Sequence, residues 1–338
     1  MQQLRIGVAG FGRIGRQIFH LAEADPGLQI VAIADLGAPE ILHHLLVKSG
    51  GPGQVRLEGK NLVSATGRTR LLPAAHINEI PWDAYGVDLV IDATGRFRGM
   101  ADLHAHLANG AGRVILSSLP DGPVDRAILY GVNHDSASAA DRIVSAGSAS
   151  TTAVALALKV LTSRLAVRHA SMTSVHAYTS DQNLQDYAGP DLRRSRSGAK
   201  NIVPNETPAR HWVQAVMPEL EGRFSAFALN VPVHSGSMLD LTVALETSAP
   251  EASEINELFQ AAAQASPELL GVTDDPIVSS DVQGRPQSLL VDLKGTMRSG
   301  ERMVKVFGWH ESLGHAHRIL DVARHYADLD AKQLSEAS

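Results

Sequence analysis

The 338-residue chain contains no cysteine. Disulfides, thiolate catalysis and thiolate-held iron–sulfur clusters are therefore excluded from its chemistry. Aromatic residues are scarce at 4 %, and Trp82, Trp212 and Trp309 are too scattered to form a base-stacking platform. Positive charge is in deficit. The formal net charge is -6, which argues against nucleic acid as a partner, since phosphate backbones reward basic surfaces. No uninterrupted apolar run is long enough for a transmembrane helix. The opening MQQLRIGVAGFGRIG lacks the basic segment, apolar core and cleavage site of a signal peptide. A cytoplasmic protein with no membrane partner is expected. The 15 histidines invite a metal reading, but no H-E-x-x-H occurs and no metal is expected.

What is present suggests two domains with real cores, from the length and a hydrophobic fraction of 44 %. LRIGVAGFG reads as a short strand entering a turn. Gly10, Gly12 and Gly15 follow in G-x-G-x-x-G spacing, and a helical pattern runs through Ile14, Ile18, Phe19 and Leu21. Each glycine has a physical reason. Gly10 permits the tight turn, Gly12 lets the backbone approach a pyrophosphate, and Gly15 lets the helix pack closely on the strand. A second strand, LQIVAIAD, ends in Asp35, 20 residues after Gly15. That is where an acid accepting hydrogen bonds from the adenosine ribose belongs. Such a carboxylate repels a 2′-phosphate, so NAD is favoured over its phosphorylated form. Two more apolar strands, VDLVIDATG and GRVILSS, place Asp92, Thr94 and Ser117 at carboxyl ends, where open α/β sheets bind ligands. RIVSAGS is a last strand. It leads into a helix, TTAVALALKVLTSRL, with Ser148 and Ser150 as candidate caps. A domain boundary is expected near Ser148.

The second half has long alternating segments: SMTSVHAYTSDQ with His176 inside it, FSAFALNVPVHSGSMLDLTVAL, and RMVKVFGWH. Their period suggests a largely antiparallel sheet with helices on one face. Between them, DLRRSRSGAKNIVP carries Arg193, Arg194, Arg196 and Lys200. It reads either as a solvated loop or as an anion or subunit contact.

VAGFGRIGR, IVSAGSASTTA, SVHAYTSDQ and DLRRSRSGAKNIVP, with GVNHD, VSSD and W-H-E at Trp309, together resemble the phosphorylating glyceraldehyde-3-phosphate dehydrogenase family over nearly the whole chain. The resemblance implies an α/β fold. An N-terminal Rossmann NAD-binding domain would span 1–148, and an α+β catalytic-like domain with a mostly antiparallel sheet would span 149–315. A C-terminal helix, 316–338, would pack back on the first domain. It implies NAD held by Gly10, Phe11, Gly12, Arg13, Ile14, Gly15, Asp35, Leu36, Thr94, Gly95, Ser117 and Ser312. It also implies a small-molecule substrate and a homotetramer in which the Asp191 to Pro204 segment approaches a neighbouring subunit's cofactor.

The chemistry departs from the family's. There, a cysteine attacks an aldehyde, a histidine activates it, hydride passes to NAD, and phosphate releases the thioester. Laid down without a gap, the cysteine's place falls on Ala149, a second cysteine's on Ala153 and an asparagine's on Thr152, while the histidine matches His176. Moving Ser150 into the nucleophile's place would need an indel that the following helix must reverse. The family's substrate-phosphate arginine matches Asn230. Thr179, Asp181 and Arg196 match other substrate-phosphate residues. Ser148, Ser150, Thr151 and Thr207 complete the anion-binding set, although a glycine after the threonine is Pro208, which removes a backbone donor. His315 falls near a tyrosine. A methyl group cannot attack a carbonyl. Three readings follow. One is an NAD-dependent oxidoreductase that works without a cysteine, with His176 as acid/base on a small phosphorylated or acidic substrate. Another is a non-catalytic homologue that binds NAD or a sugar phosphate in a sensing or partner role. The third is an inactivated Cys-to-Ala form of a conventional enzyme.

Overall fold

The computed structural model describes residues 3–51, 53–179 and 182–336. The chain divides into two compact units, 1–148 with 316–338, and 149–315.

The first unit contains β1 (Leu4–Ala9), α1 (Arg13–Glu23), β2 (Leu28–Asp35), α2 (Pro39–Lys48), β3 (Arg56–Glu58), β4 (Asn61–Val63), β5 (Arg68–Pro73), β6 (Leu89–Asp92), α3 (Met100–Ala108), β7 (Arg113–Leu116), β8 (Arg126–Ala127) and β9 (Ile143–Ser145). They form one sheet in the order β3-β4-β5-β2-β1-β6-β7-β9-β8. The run β5-β2-β1-β6-β7-β9 is parallel throughout, and only β3 and β4 are antiparallel additions at the edge. The central strands are short apolar runs because both sheet faces are covered. This is the doubly wound Rossmann order. It reverses direction between β1 and β6, which opens a ligand crevice at their carboxyl ends.

The second unit contains α4 (Ala149–Thr162), β10 (Val167–Ala177), β11 (Val203–Asn205), α5 (Ala209–Val216), β12 (Phe224–Val231), β13 (Ser237–Leu245), α6 (Ala252–Ala265), β14 (Leu270–Thr273), β15 (Leu289–Ser299) and β16 (Met303–His310). Its sheet runs β11-β12-β10-β13-β16-β15-β14. The sheet is mixed: β10 with β12 and β14 with β15 are parallel pairs, and the other neighbours are antiparallel. On β13, Ser237, Leu239, Leu241, Val243 and Leu245 alternate into the core, as the sequence period predicts. The helix α4 is buried from Thr151 to Leu158, which accounts for its small, apolar composition on every side.

The last helix, α7 (Ser312–Glu336), belongs to the first unit from Ala316 onward. There Ala316, Ile319, Val322 and Tyr326 join the core of Ile6, Ile18, Ile33 and Ile91. Polar ties reinforce the seam. Arg113 donates to both carboxylate oxygens of Asp330 at 2.6 and 3.0 Å. The Tyr326 hydroxyl donates to Asp141 at 2.8 Å, beneath the Arg113 guanidinium 4.4 Å from the ring. Burial and that bond push the Tyr326 hydroxyl well above the usual range. Burial alone would raise Asp141, but bonds from Arg126, the Ser138 amide and Tyr326 outweigh it and leave the carboxyl below its ordinary value. Among the described residues no helix is long and apolar enough to cross a membrane.

Candidate functional site

The glycine turn after β1 has the geometry of a dinucleotide cradle. Gly10 has φ +86°, a conformation that favours glycine, and a Cβ there would lie 2.7 Å from the backbone of Thr94. A Cβ on Gly15 would run into the Gly10 carbonyl oxygen, so only glycine lets α1 pack this closely on the turn. At Gly12 a Cβ would meet nothing within 4 Å. Gly12 caps α1 without any side-chain hydrogen bond, so the positive end of the helix dipole is not covered by a capping side chain. Open space, a helix N-terminus and an acid on β2 fit a pyrophosphate and a ribose, so the residues present suit NAD.

Asp35 is fixed on both oxygens. Oδ2 accepts from the Phe11 amide at 2.7 Å and Oδ1 from the Gly37 amide at 2.8 Å, and each oxygen retains a second lone pair for a ribose hydroxyl. The Phe11 amide is therefore engaged by Asp35. Its ring is buried edge-on against Phe19 at 5.9 Å, so Phe11 serves the core and the turn rather than presenting its side chain to the cofactor. Arg13 and Ile14 open α1, and Leu36 is an exposed apolar side chain beside Asp35. At the end of β6, the Thr94 hydroxyl donates to Asp92 at 2.6 Å and accepts from the amides of Arg96 and Phe97. Gly95 follows with φ +64°. The Ser117 amide donates to the Asp92 carbonyl, joining the neighbouring strand end to this turn.

In the second unit, Ala149 is the first residue of α4, and Ser150 lies inside its first turn. The side chains of Thr151 and Thr152 are buried. His176 and Asn230 are direct partners across the parallel β10–β12 pair. The His176 Nδ1 donates to the Ala177 carbonyl at 2.6 Å, which directs the ring's other nitrogen, Nε2, away from that bond. Asn230, only 5 % exposed, donates through Nδ2 to Gln182 Oε1 at 2.8 Å. The same Gln182 oxygen accepts the Thr179 amide at 3.2 Å, and Asn205 approaches Asn230 Oδ1 at 3.5 Å. A neutral amide cluster thus stands where the resemblance places an arginine. Arg196 is turned elsewhere: it pairs with Asp186 at 2.9 Å on the surface. The Asp186 carboxyl is lowered chiefly by the Ser197 amide, then by Arg196. Thr207 Oγ1 accepts the Ala209 amide at the start of α5. Ser312 opens α7 and donates to Glu311 at 2.8 Å. Ser148 is the last residue of the first unit before α4. Asp181 lies outside the described residues.

Sequence reasoning weighed His310 only with His315 and His317 for a metal, and did not connect it with His176. His310 lies on β16 opposite Ser237, its ring centroid 6.0 Å from that of His176, and its buried Nε2 has no hydrogen-bond partner. Burial, then the neighbouring charges of His176 and His315, lowers it to about 3. Its alternating place on β16 marks an inward side chain, but the composition of that pocket is not written in the strand itself. Among the described residues no three His, Cys, Asp or Glu side chains are placed to hold a metal ion.

These features define a two-unit protein of the NAD-dependent dehydrogenase class, a Rossmann unit and a mixed-sheet unit bearing a histidine. Residues 4–100 match the NAD-binding domain of glyceraldehyde 3-phosphate dehydrogenase, and residues 148–312 match its C-terminal domain. The chain is 38 % identical over 330 residues to a glyceraldehyde-3-phosphate dehydrogenase of Pseudomonas aeruginosa, covering 95 % of this chain and 97 % of that protein. It is 39 % identical over 328 residues to glyceraldehyde-3-phosphate dehydrogenase 1 of Streptomyces avermitilis, covering 95 % and 97 %. It is 36 % identical over 332 residues to the Bacillus subtilis glyceraldehyde-3-phosphate dehydrogenase 1, covering 96 % and 98 %. The chain belongs to the glyceraldehyde-3-phosphate dehydrogenase family and carries its NAD-binding domain.

Proposed function

We propose that this family member is an NAD-dependent oxidoreductase that handles a small phosphorylated or acidic substrate without covalent capture. The observation that carries the reading is Ala149 at the start of α4 in a chain that has no cysteine, together with His176 on β10. A thioester needs a sulfur nucleophile, and none exists. NAD, when bound, supplies a hydride acceptor. His176 supplies the proton acceptor: with Nδ1 donating to the Ala177 carbonyl, the uncharged ring has its lone pair on Nε2. The proton leaving the hydroxyl of an alcohol, or of an aldehyde hydrate, goes to that nitrogen. Thr179 and Arg194, with Ser148, Ser150, Thr151 and Thr207, are proposed to orient the acidic end, and Arg196 would join them on leaving Asp186. Asn230 contributes through the amide cluster rather than as a cation.

The reading includes a homo-oligomer, most simply a tetramer. Supporting it, the segment from 182 to 202 exposes Leu184, Tyr187, Leu192 and Ile202, with Leu192 90 % exposed. The second reading, a non-catalytic binding protein, is favoured by the neutral Gln182–Asn230 pair, because no guanidinium stands there to clamp a phosphate. A panel of small phosphorylated and carboxylated alcohols and aldehydes, run with NAD and with NADH, separates the two. Turnover that His176→Ala abolishes supports the oxidoreductase. No turnover across the panel, with NAD still bound, supports the binding protein.

A further inference from the structure

The turn after β6 is held from behind by a buried chain of side chains. Trp82 Nε1 donates to His106 Nδ1 at 3.0 Å. His106 Nε2, on the inner face of α3, stands 3.2 Å from Asp92 Oδ2. Asp92 Oδ1 accepts both the amide of Thr94 at 2.9 Å and its hydroxyl at 2.6 Å. Trp82, His106 and Asp92 are each fully buried. The indole N–H can only donate, so His106 Nδ1 must accept, and the ring proton lies on Nε2, facing the carboxylate. Every polar atom of the chain thus has one assigned role, and reversing any bond would leave a buried donor facing a donor.

The far end of the chain is the cofactor crevice. The Thr94 hydroxyl gives its hydrogen to Asp92 and accepts from the Arg96 and Phe97 amides at 3.2 and 3.3 Å. It has little capacity left for a ligand. The backbone of Thr94, by contrast, lies where a Cβ on Gly10 would touch it at 2.7 Å. The Thr94–Gly95 turn and the glycine turn are therefore packed face to face at the point where the strand order reverses. Small displacements of one alter the gap that a dinucleotide must enter.

We propose that Trp82, His106 and Asp92 are positioning residues that set the Thr94–Gly95 turn, and so the width and shape of the NAD crevice on the β6 side. The inference rests on the reading of this crevice as the NAD site. A Rossmann fold is built from two mononucleotide-binding halves, and β6 begins the second. The relay therefore acts at the crevice where the two halves meet, and its effect is read on binding of the whole dinucleotide.

The test titrates full-length protein with NAD by calorimetry, alongside thermal unfolding. His106→Leu removes both ring bonds and weakens NAD about tenfold. His106→Gln restores NAD affinity, since its amide can accept from Trp82 and donate to Asp92. If His106→Leu does not fold, Trp82→Phe removes only the indole N–H, and a several-fold loss of NAD affinity is expected. Unchanged NAD affinity in whichever of these variants folds overturns the proposal. So does a failure of His106→Gln to rescue NAD affinity. Gly12→Val checks the underlying reading separately. It fills the open space over the helix N-terminus and abolishes NAD binding. If Gly12→Val binds NAD normally, the crevice has been misplaced, whatever the His106 variants do.

Discussion

In the first unit, each glycine of the G-x-G-x-x-G turn meets the neighbour that its role demands: backbone behind Gly10, a carbonyl against Gly15, and open space over Gly12. In the second unit the frame is equally complete, with β10, β12 and α4 in order, yet the groups it presents are different ones. Ala149 stands where the resemblance places a nucleophile and Asn230 where it places a cation, and His176 matches its histidine. The difference teaches which constraints act on backbone and which on side chains. A cofactor recognised by main-chain amides and glycine geometry tolerates little change. A reaction carried by side-chain tips can be altered by single substitutions that leave the fold intact.

The largest effect that would sharpen this contrast is Ala149→Cys. Restoring sulfur at the start of α4 should create an acyl-forming enzyme, with an NADH burst on glyceraldehyde 3-phosphate at least about 10³-fold faster than in the parent chain, read by stopped-flow absorbance. A variant thiol that forms no acyl adduct would show that the frame has changed as well as the atom. Next comes Gly15→Ala, which forces a methyl group into the Gly10 carbonyl. A loss of about 3 kcal/mol in denaturant unfolding is expected, against less than about 0.5 kcal/mol for Gly12→Ala, whose methyl meets nothing. Equal costs at the two positions would break the account of the first unit.

A smaller effect concerns His310. Its folded-state pKa lies below the ordinary value, so the unfolded chain binds a proton that the folded chain refuses. Stability should fall as pH drops from about 6.5 toward about 3, and His310→Phe should flatten that part of the profile in urea melts at several pH values. A profile unchanged by His310→Phe would mean that this ring is not held uncharged by burial. The smallest is Tyr326→Phe on α7. Removing one buried donor to Asp141, which keeps Arg126, should cost about 1–2 kcal/mol and leave NAD affinity unaltered.

Much of the first unit was legible in the sequence. The glycine spacing, the apolar runs and the acid after β2 follow from local geometry, and the parallel order follows from them. The short edge strands β3, β4 and β8 were not legible, since two or three residues carry no period. In the second unit, alternation marked the long strands and their faces. It could not give strand direction, and the β10–β12 pairing is parallel, because direction depends on how the 182–223 connection returns. Ala149, His176 and Asn230 were found through the resemblance. The engagement of Asn230 by Gln182, the approach of His310 to His176 and the tie from Trp82 to Asp92 were not, for each joins residues distant in sequence whose partnership arises only on folding.

The whole account of activity depends on the substrate carbon never bonding to this chain. Intact-protein mass spectrometry after exposure to glyceraldehyde 3-phosphate and NAD, with phosphate omitted so that any acyl group would persist, tests it directly. An unchanged protein mass is the expected result. A mass increase matching a phosphoglyceroyl adduct, mapped to Ser150 or any other side chain near α4, would contradict it.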